Sequence, residues 1–110
     1  YVFSADATQP VSVMEKISEL TNGGMCDITI NNVNITDTEM TSILCTKDTG
    51  LVYFFSMATS FTKAALGAEG VGSDVTMLIG NGYTRGHAEI TLQELRESEE
   101  LRKIFTELYA

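Results

Sequence analysis

The apolar positions of this chain change period several times, and each change marks an element. Val13, Met14, Ile17 and Leu20 recur at helical intervals behind Ser12 and Glu15, which stand at a capping-box spacing. The spacing predicts a short first helix that Asn22-Gly23-Gly24 would stop. From Met25 the pattern turns to alternation. MCDITI (25–30) reads as a strand, NNVN (31–34) as a turn-rich connection and TEMTSILCT (38–46) as a second β-like run. KDTG (47–50) ends on the glycine that hairpin turns favour, and LVYFFS (51–56) is a third strand.

Beyond that strand, residues 59–68 read as a short helix bearing Phe61, Ala64, Ala65 and Leu66. A glycine-rich stretch (67–72) follows. DVTMLIG (74–80) and GYTRGHAEI (82–90) then suggest a second hairpin about Asn81-Gly82. Thr91 and Glu94 repeat the capping-box spacing and open a helix to about Tyr109, with Leu95, Leu101, Ile104, Phe105 and Leu108 as its apolar positions. Residues 1–11 lack periodicity, hold the only proline, Pro10, and form an N-terminal arm. The order predicts one domain over 1–110. Its fold class is mainly β with α: a small antiparallel sheet curled into a barrel, with flanking helices at its ends.

Composition narrows the function classes. The chain has 110 residues, 44% of them hydrophobic and 20% charged, which is the make-up of an ordinary globular domain. Net charge is −8, from 15 acidic against 7 basic residues, so the surface repels nucleic acid and anionic membrane. No apolar run approaches the roughly 20 residues of a membrane helix. No basic segment precedes an apolar one as in a signal peptide, although the chain begins at Tyr1 rather than Met. Cys26 and Cys45 are not a CxxC pair. They read as buried thiols of a cytoplasmic protein, or as one bridge between neighbouring strands. One histidine without a Cys/His cluster predicts no metal site.

The chemistry-bearing stretch is the strand-to-helix turn at 56–63. A helix N-terminus offers unpaired N–H groups and a positive dipole end, which suit an anion. Ser60 and Thr62 add hydroxyl donors, and Lys63 adds a charge suited to phosphate. The same residues also fit a plainer reading, in which Thr59 or Ser60 caps the helix and Lys63 faces solvent. Elsewhere His87 and Arg85 have no nucleophile beside them. Met14, Met25, Met40, Met57 and Met77 read as apolar filler. GAEGVG (67–72) follows a helix rather than a strand and is read as a loop, not a dinucleotide fingerprint. No Ser/His/Asp set assembles, and Asp37 with Glu39 lies in or beside a turn.

The series GLVYFFS…TSFTKAAL, DVTMLIGNGYTRGHAEI and an acidic helix resembles the pyridoxamine 5'-phosphate oxidase-like split-barrel family, its general-stress-protein and flavin-reductase-like members above all. The resemblance covers 13–109. It implies a homodimer with FMN at the subunit interface and the flavin phosphate at the strand-to-helix turn. Lys63 matches the phosphate-binding lysine and Ser60 or Thr62 the neighbouring hydroxyl. Phe55 and Ser56 match the strand end beside the flavin ring, and Gly86 and Ala88 the small positions of a later strand. Where many members place an arginine, DTEMT (37–41) has Glu39, which would repel a phosphate unless it points away. The chain also stops at Ala110, short of the C-terminal strand of many members. The function expected is an FMN-dependent oxidoreductase acting on an unknown small molecule. The alternatives are a non-catalytic split-barrel dimer holding another phosphorylated or heterocyclic ligand, and a small structural or interaction domain.

Overall fold

A computed structural model describes residues 1–80 and 82–110, which divide into two compact units, 1–80 and 81–110. In the first unit the order is α1 (Pro10–Leu20), β1 (Cys26–Asn31), α2 (Glu39–Leu44), β2 (Thr46–Phe54), α3 (Phe61–Val71) and β3 (Thr76–Ile79). The three strands form one sheet in the order β1-β2-β3, and both pairings are parallel. This corrects the antiparallel split barrel. A parallel pair cannot be closed by a tight turn and needs a crossover, and α2 and α3 supply the two crossovers here.

Two sequence readings produced the wrong topology. TEMTSILCT is not a strand: Glu39–Leu44 is helical, and Met40 and Ile43 pack on the core at helical spacing. Its serine and threonines disguise the helix because they are poor helix formers. Here they bond backward to carbonyls, Ser42 Oγ to Thr38 O at 3.2 Å and Thr46 Oγ1 to Ser42 O at 2.7 Å. KDTG is no hairpin turn but lies inside β2. The β1–β2 register slips there, so that Cys26 pairs with Thr46 but Ile28 with Leu51. Thr49 takes a φ of 66° within this bulge. The glycine-rich 67–72 continues α3 as far as Gly72 rather than forming a loop.

The predicted first helix is present, but it begins at Pro10, a residue suited to the first helical turn because its missing N–H would be unpaired there. The arm before it folds on itself: Asp6 Oδ1 accepts from the Thr8 N–H at 2.9 Å and hydroxyl at 2.6 Å. Thr41 Oγ1 donates to Ala7 O at 2.6 Å and ties the arm to α2.

Strand alternation sorts the sheet into two faces. Thr29, Val52 and Met77 stand in register on one face, as do Asn31 and Phe54. There Val52 and Phe54 meet Ile43 of α2 and Ala64 and Ala68 of α3, forming the buried core with Met40, Val75 and Met77 against it. The opposite face carries Ile28, Leu51 and Thr76, then Ile30, Tyr53 and Leu78. Ile28 is 59% exposed and Ile30 64%.

The second unit is two helices, α4 (His87–Glu97) and α5 (Glu99–Tyr109). The predicted strand 82–90 is therefore corrected, since His87 to Ile90 open α4 behind Gly86, whose φ of 85° is a glycine conformation. Asn81, half of the predicted hairpin turn, lies outside the described residues. The predicted single final helix is two, because Ser98 has extended backbone. Ser98 both ends α4 and caps α5, its Oγ accepting from the Leu101 N–H at 3.1 Å. No helix among the described residues is long and apolar enough to cross a membrane.

Candidate functional site

Parallel sheets place their ligands beyond the carboxyl ends of the strands, where the βα loops gather. Between the elements of the first unit those loops are 32–38 after β1 and 55–60 after β2. The first is built on a polar network buried beneath it. Asn31, the last residue of β1, donates through Nδ2 to Thr38 Oγ1 at 2.9 Å and to Ser42 Oγ at 2.8 Å. Its Oδ1 accepts from the Val33 N–H at 3.2 Å. Asn31 is 4% exposed and Thr38 3%, so these bonds form away from water and fix where the loop re-enters the fold. At its end Asp37 takes a φ of 65°, a left-handed conformation that aspartate tolerates better than most residues.

The second loop starts with an inner turn in which Ser56 Oγ accepts from the Ala58 N–H at 3.1 Å. Ser60 then caps α3, accepting from the Lys63 N–H at 3.3 Å. The plainer reading of Ser60 as a cap is therefore what the backbone shows. The N-terminus of α3 also has its anion already. Glu39, at the first position of α2 and only 3% exposed, accepts from the Ser60 N–H through Oε1 at 2.7 Å. A carboxylate is thus seated against the positive end of the helix.

Lys63 is engaged too. Its ammonium pairs with Asp37 Oδ1. That bond and charge, with a smaller contribution from Glu39, hold the lysine above its ordinary range. Thr62 is exposed in the first turn of α3. Phe55 is drawn elsewhere, stacking on Tyr53 at a centroid distance of 5.9 Å. Asp37, Glu39 and Lys63 line one open cavity of about 420 Å³ with Thr8, Pro10 and Leu66. The sequence pointed to Lys63 and Ser60 but treated Asp37 and Glu39 as turn residues. What hid them is that the two loops meet only through the crossover, 21 positions apart at Glu39 and Ser60.

His87 Nδ1 lies 2.6 Å from Thr84 O, and its ring meets Tyr83 edge-on. No group of three or more metal-ligating side chains forms among the described residues. Cys26 and Cys45 are free thiols joined only through backbone, the Cys26 N–H donating to Cys45 O at 2.9 Å. Burial, and then Cys26 nearby, pushes the Cys45 thiol up to about 11.

Fold and site thus define an α/β protein with a parallel sheet and an acid–lysine cluster at the strands' carboxyl ends. No protein-family model matches the chain. Over 108 residues, 98% of the chain, it is 63% identical to the L-erythro-3,5-diaminohexanoate dehydrogenase of Acetoanaerobium sticklandii. Over 105 residues, 96% of the chain, it is 58% identical to the protein of the same name from Fusobacterium nucleatum. The chain spans 31% and 30% of the length of these relatives.

These similarities, with the parallel sheet, overturn the split-barrel family reading and the FMN-dependent activity drawn from it. The relatives are named as dehydrogenases of another kind, and nothing links the chain to pyridoxamine 5'-phosphate oxidase-like flavoproteins. FMN falls with that resemblance. The turn assigned to its phosphate faces Glu39, and the strand assigned to Gly86 and Ala88 is the start of α4.

Proposed function

We propose that this chain is part of a dehydrogenase acting on a diamino acid, and that the Asp37–Glu39–Lys63 cluster takes part in holding the substrate. The observation that carries the reading is charge matching. Two carboxylates and one ammonium line the same cavity. The 3,5-diaminohexanoate of the relatives' names bears two amines and one carboxyl, which near neutral pH are two cations and one anion. Its charges mirror those of the cluster. Asp37 is the exposed acceptor for a substrate ammonium, and Lys63, once released from Asp37, is the partner for the substrate carboxylate. Glu39 is held in place by Ser60 and adds negative potential at the inner wall. Ser56 and Thr62, on the same loop and first helical turn, are further candidates for polar contact.

A nicotinamide dinucleotide is a common hydride acceptor for dehydrogenases built on parallel sheets. The turns after β1 and β2 do not fit its pyrophosphate. Asn32-Val33-Asn34 follows β1 without the glycines that a pyrophosphate-binding turn uses, and the first turn of α3 is taken by the Glu39 carboxylate. No hydride step is assigned to these residues.

The test is steady-state kinetics in a dehydrogenase of the relatives' full length that carries this sequence. Asp37→Asn and Lys63→Met are each expected to raise KM for 3,5-diaminohexanoate about tenfold or more, the loss of one charge-assisted bond, with a smaller change in kcat. Unchanged KM in both variants would sink the assignment.

A further inference from the structure

The face of the sheet opposite α2 and α3 is apolar, and no element of the first unit packs over it. Ile28 and Ile30 of β1 are more than half exposed, Leu78 of β3 is 45% exposed, and Tyr53 with the stacked Phe55 extends the patch towards the carboxyl ends. The register sets Ile30, Tyr53 and Leu78 side by side, so the patch is one surface rather than scattered residues. Parallel sheets are built with both faces covered, and strands apolar on both faces, like Leu51–Phe54, are the sequence mark of that burial. The outer edge of β1 is open as well. Ile28 and Ile30 line an apolar groove of about 320 Å³ with Val13 and Ile17 of α1.

We propose that this face and the β1 edge form an internal interface, covered by further polypeptide of the same dehydrogenase and not by a second copy of the chain. The relatives are about three times as long as the matched region, so they hold ample chain to supply a second helix layer and a neighbouring strand. The inference rests on that length and on the bare face. It stands whether or not the Asp37–Lys63 cluster binds substrate.

Carbene footprinting with mass spectrometry tests it by reading side-chain exposure at Ile28, Ile30, Tyr53 and Leu78. The same sites are compared in the 110-residue chain and in a dehydrogenase of the relatives' full length carrying this sequence. Labelling is expected to be high in the dilute 110-residue chain and at least fivefold lower in the longer protein. Equal labelling in the two would overturn the proposal. So would sites already protected in the monomeric 110-residue chain, or protection that grows with its concentration as a dimer forms. As a second measurement, Ile30→Glu is expected to leave the thermal midpoint of the 110-residue chain within about 2 °C while lowering that of the longer protein by more than 5 °C. Equal shifts in both would also overturn it.

Discussion

The buried carboxylate of Glu39 accepts a hydrogen bond from the backbone N–H of Ser60, so the N-terminus of α3 is neutralised from inside the protein. Glu39→Ala removes that acceptor and leaves a partly buried N–H unpaired, a loss of about 1–3 kcal/mol. Glu39→Gln keeps an acceptor but not the charge at the helix dipole, and should cost about 1 kcal/mol. Urea unfolding of the three proteins checks the order. Equal stability of Glu39→Ala and the parent would show that the bond contributes nothing.

The Asp37–Lys63 pair should matter little for stability. Both side chains are 61% exposed, and water screens such exposed pairs so well that they contribute little. Asp37→Asn keeps a residue that tolerates the left-handed backbone, so its midpoint in urea should stay close to the parent's. Because the Lys63 pKa is raised, whatever the pair contributes is fully present below the ordinary lysine value of 10.5 and is lost as pH rises past it. A pH titration of the difference between parent and Asp37→Asn, flat from neutral pH to about pH 10, is the expected outcome.

These two contacts also show how much of the site could be read from the chain. Ser60 and Lys63 stand out locally, as a cap residue and a cation at a strand-to-helix change. Their partners do not, because Asp37 and Glu39 meet them only if β1 and β2 run parallel. Strand positions were legible for the same local reason, since MCDITI, LVYFFS and DVTMLIG overlap β1, β2 and β3. Direction was not. A glycine in KDTG looks like a hairpin turn, whereas it sits in a bulge inside β2. Thr38, Thr41, Ser42 and Thr46 made a six-residue crossover helix look like a strand.

Gly50 is the position where that bulge tolerates no side chain. A Cβ there would lie 2.8 Å from Lys47 O and 2.9 Å from Asp27 O, both backbone atoms that cannot swing aside. Gly50→Ala should destabilise by about 1–3 kcal/mol, as overpacking does. Gly70→Ala, with open space around its Cβ and a helical backbone, should be neutral or stabilising by up to about 1 kcal/mol. Thermal unfolding of the pair decides it: similar midpoints would contradict the crowding at Gly50.

Cys45 gives a prediction in the alkaline range. Its folded pKa of about 11 exceeds the ordinary 9.0, so the folded state holds the thiol proton more tightly than the unfolded chain. The resulting stability is complete below pH 9 and disappears as pH rises through 11. Cys45→Ala should therefore show a shallower loss of stability than the parent between these limits. At pH 8, iodoacetamide should modify the partly exposed Cys26 well before the buried Cys45. Equal rates for the two thiols would argue against the burial described.

Ser98 has a mechanical consequence. One residue closes α4 and opens α5, and Arg102 reaches back to Leu95 O at 2.7 Å and Arg96 O at 2.8 Å, latching the joint from the far side. Such an elbow has no slack. One inserted residue would turn the stripe of Ile104, Phe105 and Leu108 by about 100° about the helix axis and pull the latch from its carbonyls. A replacement at Ser98 costs only a cap. The joint is therefore forgiving of spelling and strict about length.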